Sequence, residues 1–110
     1  MNISPAVDFR ECGSASAKVL AAKLAALSHP ARIEILKHLA DQPACCCKDV
    51  VQQLDLAQST VSQHLKVLVE AGLVRFSAER QRSRYEIDRE ALADMSASVA
   101  TLVDTCCSGR

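Results

Sequence analysis

Between Val50 and Val74 the chain reads VVQQLDLAQSTVSQHLKVLVEAGLV. Val50, Val51 and Leu54 form a short apolar helical face. Asp55-Leu56-Ala57 interrupts it, and Val61, Leu65, Leu68 and Val69 then recur at helical spacing. Gly72 suits the left-handed position that follows a helix end. A short helix, a tight turn and a longer helix make a helix-turn-helix, whose second helix can lie in a DNA major groove.

The remaining segments supply a body for that motif. Ser14 is placed to cap a helix running to about Leu27, with Leu20, Leu24 and Leu27 on one stripe. Ser28-His29-Pro30 is a start signal, because proline fits the first turn of a helix. The second helix is expected to reach about Ala40, with Ile33, Leu36 and Ala40 on one face and Ile35 and Leu39 beside it. Asp41-Gln42-Pro43 ends it. The third helix spans about Cys47 to Leu54 and the fourth about Ser59 to Ala71. Alternation over Leu73 to Ala78 and Arg84 to Ile87 predicts a two-stranded wing with Val74, Phe76, Tyr85 and Ile87 facing inward. Asp88 is placed to cap a last helix reaching about Cys106. Its stripe is Leu92, Met95, Val99, Leu102 and Cys106, with Val103 alongside. The expected architecture is mainly α with a β-hairpin wing. Residues 1–13 read as a flexible arm and 14–110 as a single DNA-binding and dimerisation domain.

Charge is segregated rather than absent. The 110 residues carry formal net charge zero, so a nucleic-acid surface must be local. Arg75 to Arg84 holds four arginines against Glu79 alone, whereas Asp88 to Arg110 holds four acids against two arginines. Phe9, Phe76 and Tyr85 are the only aromatic residues, so the core must be aliphatic. No apolar run approaches the ~20 residues of a membrane span, and the N-terminus has no signal-peptide pattern. We therefore expect a cytoplasmic protein without membrane attachment. In that compartment the six cysteines (12, 45, 46, 47, 106 and 107) read as thiols, not as a disulfide framework.

A recognition helix needs short or medium polar side chains that reach phosphates and base edges. Gln58, Ser59, Thr60, Ser62, Gln63, His64 and Lys66 supply them. Arg80, Arg82 and Arg84 on the wing suit phosphates or a narrow minor groove. The plain alternative is a solvated helix face and a charged hairpin. The two features together, in this order, favour binding of double-stranded DNA.

Residues from about Leu24 to Ile87 resemble the ArsR/SmtB family of metal-sensing winged-helix repressors. The resemblance is carried by Leu27-Ser28-His29-Pro30-Ala31-Arg32-Ile33-Glu34-Ile35-Leu36, by Asp49-Val50-Val51 with Leu54, and by the run from Leu56 to Leu68 with Glu70-Ala71-Gly72-Leu73-Val74. It implies a winged helix-turn-helix homodimer, paired through the first and last helices, that leaves operator DNA when an inducer binds. The apolar stripe of the last helix agrees with this, because a small domain struggles to bury it alone and a two-fold dimer would cover it. A dimer also presents two reading helices to a palindromic site. Two positions depart from the family pattern. Ala57 stands where members often carry Ser as the helix cap, and Arg80 stands at the wing tip, where Gly is usual.

The cysteines suggest what is sensed. Thiolates are soft ligands for thiophilic ions and metalloids. Arsenite and antimonite are therefore the expected inducers, with Cd(II), Pb(II) and Zn(II) as further candidates. One arsenic-sensing pattern of the family is Cys-Val-Cys-Asp at the start of the third helix, which Cys45-Cys46-Cys47-Lys48-Asp49 resembles without matching. Aligned on Asp49, Cys46 takes the first Cys position and Lys48 the second. Other members use a vicinal pair in the last helix, which Cys106-Cys107 resembles. The candidate ligands are Cys45, Cys46, Cys47, Cys106 and Cys107. A His/Asp site on the last helix finds no support, since His29, His38 and His64 lie elsewhere.

A lone free cysteine is often just a small buried hydrophobe, and Cys12 is read as incidental. Three in a row cannot share one buried face. The nearest rival is a thiol redox or persulfide sensor on the same fold. A vicinal disulfide, spanning Cα atoms only ~3.8 Å apart, would be strained and easily reduced. A small redox enzyme such as an arsenate reductase is disfavoured, because the chain has no Cys-x-x-Cys and no glycine-rich anion loop. A structural zinc protein is disfavoured because the core looks sufficient without metal.

Overall fold

Each element of the fold has a local cause in the sequence. The computed structural model describes residues 14–42, 47–80 and 82–108. Its elements are α1 (Ser14–Ala26), α2 (Pro30–Asp41), α3 (Cys47–Leu54), α4 (Gln58–Glu70), β1 (Val74–Glu79), β2 (Arg82–Ile87) and α5 (Arg89–Cys107). The arm, Cys12, Cys45 and Cys46 lie outside the described residues.

At the α1–α2 corner, Ser28 Oγ donates to the Ala25 carbonyl at 2.7 Å and so serves the end of α1. His29 is the N-cap of α2: its Nδ1 accepts from the Ala31 amide at 3.0 Å, and Pro30 follows at the first helical position. Asp55 makes the turn between α3 and α4 with φ +55°, the left-handed region that short polar side chains tolerate. Helix α4 begins without a side-chain cap at Ala57. It ends in a Schellman arrangement. Gly72, at φ +84°, donates to the Val69 carbonyl at 2.9 Å, and Leu73 donates to the Leu68 carbonyl at 3.0 Å. Asp88 caps α5 by accepting from the Ala91 amide at 3.0 Å.

The core gathers Ile35 and Leu39 of α2, Cys47 and Val50 of α3, and Val61, Leu65 and Leu68 of α4. Leu73, Val74 and Ile87 join it from the wing base, with Ala26 from the end of α1. Helix α2 packs on α3, α4 and β2, and α4 packs on β1. Helix α1 packs on α5 at one side of this body. No residue of α5 is buried. No helix among the described residues is long and apolar enough to cross a membrane.

Two expectations about the core are corrected. On α2 the buried pair is Ile35 and Leu39, while Ile33 is 43% exposed and Ala40 is also exposed. Apolar residues on α2 cover more than one stripe, and packing by α3, α4 and β2 selects between them. On the wing, β1 and β2 pair antiparallel with Val74 opposite Ile87 and Phe76 opposite Tyr85. Val74 and Ile87 are buried, but Phe76 is 49% exposed. The hairpin projects from the body, so only its base has a core to face. Phe76 packs instead on Tyr85, with ring centroids 5.2 Å apart.

Candidate nucleic-acid interface

The sequence leaves one face of α4 polar, and the fold leaves that face open. Gln58, Ser59, Ser62, Gln63 and Lys66 are exposed, and Thr60 and His64 are half-buried. The apolar positions Val61, Leu65 and Leu68 are fully buried and orient the helix with its polar side outward. The wing lies beyond the C-terminal end of α4, joined through the Gly72 turn.

The three wing arginines differ in situation. Arg84 Nη1 donates to Glu79 Oε2 at 2.6 Å in an exposed ion pair, so part of its charge is met within the hairpin. Arg82 is exposed opposite Glu79 in the strand register. Arg80 occupies the connection between the strands with φ +56°, the conformation that favours glycine. This gives a physical reason for glycine at wing tips. Here the same place carries an exposed cation.

His64 is set apart from the rest of the reading face. Arg32 Nη1 donates to His64 Nδ1 at 3.1 Å. Because a guanidinium only donates, His64 Nδ1 is the acceptor and its proton sits on Nε2. Arg32 also donates from Nε to the Ala26 carbonyl at 2.6 Å and from Nη2 to the Ala25 carbonyl at 3.4 Å. The His29 ring lies against His64 with centroids 4.5 Å apart. Burial holds His64 below the ordinary histidine range, and His29 and Arg32 push the same way. Sequence reasoning missed Arg32. Its signal was a cation in the first turn of a helix, where the dipole disfavours one unless a partner compensates.

The cysteines fall in three situations. Cys47 opens α3, is buried, and has Sγ 3.6 Å from Ser62 Oγ on α4. It also neighbours the wing. Burial pushes the Tyr85 phenol up, a hydrogen bond with the Ser83 side chain opposes this, and Cys47 adds to the rise. One thiol thus sits where α3, α4 and β2 meet. Cys106 and Cys107 are free and exposed at the end of α5. Cys45 and Cys46 lie outside the described residues, and among those described no group of three or more candidate ligands is gathered.

This arrangement has close counterparts among known proteins. The model of the family described as "Bacterial regulatory protein, arsR family" matches residues 29–75. The HTH-type transcriptional regulator YgaV of Escherichia coli is 37% identical over 93 residues, covering 84% of this chain and 91% of that protein. The arsenical resistance operon repressor of Staphylococcus xylosus is 35% identical over 77 residues, covering 70% of this chain and 73% of the repressor. Among solved structures, the homodimeric winged helix-turn-helix domain of a possible ArsR-family regulator from Mycobacterium bovis superposes with TM-score 0.70 at 27% identity. That match covers 86% of this chain and 87% of the domain.

Proposed function

The chain belongs to the ArsR family of bacterial regulatory proteins, and from that premise we propose that it is a metalloid-responsive repressor. It binds operator DNA as a homodimer and is released when arsenite or antimonite is taken up by cysteine thiolates. The protein is a transcriptional regulator with a DNA-binding winged helix-turn-helix, not an enzyme. DNA is read by Gln58, Ser59, Thr60, Ser62, Gln63 and Lys66 of α4, and held by Arg80, Arg82 and Arg84 of the wing.

The carrying observation is the contact between Cys47 Sγ and Ser62 Oγ. It joins the cysteine run before α3 to the helix that meets DNA. Cys45, Cys46 and Cys47 supply most of the ligands. A soft ion that gathers these thiolates draws Cys47 away from Ser62 and out of the wedge between α3, α4 and β2. The resting pose of α4 is then lost. Coupling of ~1–3 kcal/mol changes operator affinity by about 5- to 150-fold. Cys106 and Cys107 form a second candidate cluster. The S. xylosus relative, named for arsenical resistance, supports the choice of inducer, and Cd(II), Pb(II) and Zn(II) follow as weaker candidates.

The dimer is supported by α1 and α5. Val19 and Leu24 on α1, and Leu102 and Val103 on α5, are all more than 40% exposed in the single chain. A two-fold partner covers such a face.

The test is fluorescence anisotropy of labelled DNA from upstream of the protein's own gene, titrated with arsenite, antimonite, Cd(II), Zn(II) and a polysulfide under defined reduction. Release by stoichiometric arsenite or antimonite is expected, and Cys46→Ser and Cys47→Ser should abolish it. Release only by oxidant or polysulfide would replace the ligand site with a redox switch. Arsenite-induced release that survives both substitutions would move the site away from α3.

A further inference from the structure

We infer that Arg32 is a positioning residue for the DNA-reading helix: it ties His64 of α4 to the last carbonyls of α1, and His64 serves it as an uncharged acceptor rather than as a phosphate contact. The inference rests on the DNA-reading role of α4 and adds a residue that lies outside the reading surface.

The geometry is specific. One guanidinium makes bonds from Nε and Nη2 to the Ala26 and Ala25 carbonyls, and from Nη1 to His64 Nδ1. The two carbonyls belong to the last turn of α1, and that of Ala25 also accepts from the Ser28 amide and Oγ, so the Nε bond to Ala26 is the main hold on α1. The acceptor on α4 lies 32 residues away in sequence. Arg32 is half-buried, as is His64, while Ser62, Gln63 and Lys66 on the same helix are exposed. A second fastening supports the first. Lys23 of α1 donates to the Ala71 carbonyl at the far end of α4 at 3.2 Å. The two bonds hold α4 to α1 at separate points along its length, which fixes a tilt where one bond would leave a pivot.

The chemistry at His64 follows. A protonated imidazole cannot accept from Arg32, and it would place a cation beside both Arg32 and the tilted His29 ring. The clamp therefore needs neutral His64. A histidine that grips phosphate through its charge needs the opposite form, because DNA favours the imidazolium. The two roles predict pH effects of opposite sign. The titratable and charged groups that act on His64 are His29 and Arg32 at the start of α2. Its own helix carries Lys66 and Glu70. The other elements packed on α4 carry Lys48 and Asp49 (α3) and Arg75 (β1), and α1 brings Lys23. All of these remain in a variant changed only at position 64, so the difference from wild type reports His64 together with its coupling to His29.

The experiment measures operator affinity of the full chain by anisotropy, across salt concentrations and from about pH 8 to about pH 5. The variants are Arg32→Gln, His64→Leu, their double, and His64→Asn, whose side-chain oxygen can take the place of Nδ1. Arg32→Gln and His64→Leu should each weaken binding by about fivefold or more. The double variant should lose no more than either alone, as for residues acting through one contact. The salt slope should stay that of wild type, whereas loss of a phosphate contact lowers it by about one. His64→Asn should keep most of the affinity. Relative to it, wild type should weaken on acidification.

A lowered salt slope, additive losses, or wild-type binding that strengthens on acidification relative to His64→Asn would each overturn the assignment. Unfolding of the DNA-free protein supplies an independent arm. Unfolded His64 takes its proton near the ordinary value of 6.5, and folded His64 only below it. The stability difference between wild type and His64→Asn is thus fully present above that value, and it is lost as pH falls through it toward the folded pKa. No such loss would also overturn the clamp. If wild type bound no DNA at all, the DNA-reading role would fail while this arm still decided the clamp.

Discussion

The reading unit and the α1–α5 layer are built from similar aliphatic residues but reach different ends. In α2, α3, α4 and the wing base, apolar side chains close on one another: Ile35, Val50, Val61, Leu65, Leu68 and Leu73 have no exposed surface. In α5, 19 residues long, nothing is buried. Val19 and Leu24 on α1 and Leu102 and Val103 on α5 remain open. The contrast separates what one chain buries by itself from what it leaves open. The stability of the first region is a property of the monomer. On the dimer proposed above, that of the second depends on concentration.

The sharpest way to break this contrast is to injure each side and ask whether concentration rescues it. Leu65→Ala removes a fully buried side chain and should cost about 2–5 kcal/mol in denaturant unfolding. The loss should be the same at every protein concentration. A loss that concentration restores would mean the reading unit is not self-sufficient.

Leu102→Glu, at a position 49% exposed in the chain, should leave the helical circular-dichroism spectrum of the monomer intact. It should weaken self-association by roughly 2 kcal/mol, about thirtyfold, in sedimentation equilibrium. Unchanged association would place the dimer contact elsewhere.

Two smaller changes probe the ends of α4. Gly72→Ala would meet Lys23 Nζ only at an ordinary 3.7 Å, so its cost is conformational. At φ +84° that cost is about 1–2 kcal/mol, read from thermal unfolding. Ala57→Ser restores the missing cap and should add about 1 kcal/mol. If it adds nothing, the first turn of α4 already meets its donors in another way.

Much of the first region was legible because its causes are local. The bounds of α3 and the Gly72 stop follow from residue type and spacing, as does the Asp88 cap in the other region. What stayed hidden depends on distance. Alternation marked Phe76 as inward but could not say how far the hairpin projects beyond the core. Periodicity offered α2 more than one apolar stripe, and the choice of Ile35 and Leu39 was made by the elements that pack there. The polar residues of α4 lie on its open side, with Thr60 and His64 half-buried. His64 was counted among equals because its partner, Arg32, is remote in sequence. The cysteine run was visible at once. That Cys47 turns inward to Ser62 was not, since three consecutive thiols give no clue as to which one the core accepts.

Helix α1 belongs to both regions. It lies along α5, yet Lys23 and the Ala25 and Ala26 carbonyls fasten it to α4 and its surroundings. In the dimer proposed above, the gap between the two reading helices is then a dimension of the protein–protein contact. Half-sites lie about one helical turn apart, roughly 34–36 Å, for helix-turn-helix dimers. A change on the outer face of α1 can therefore retune which spacing is accepted while every base-facing residue stays the same. Such a protein has two separate dials for choosing its operators, one for letters and one for distance.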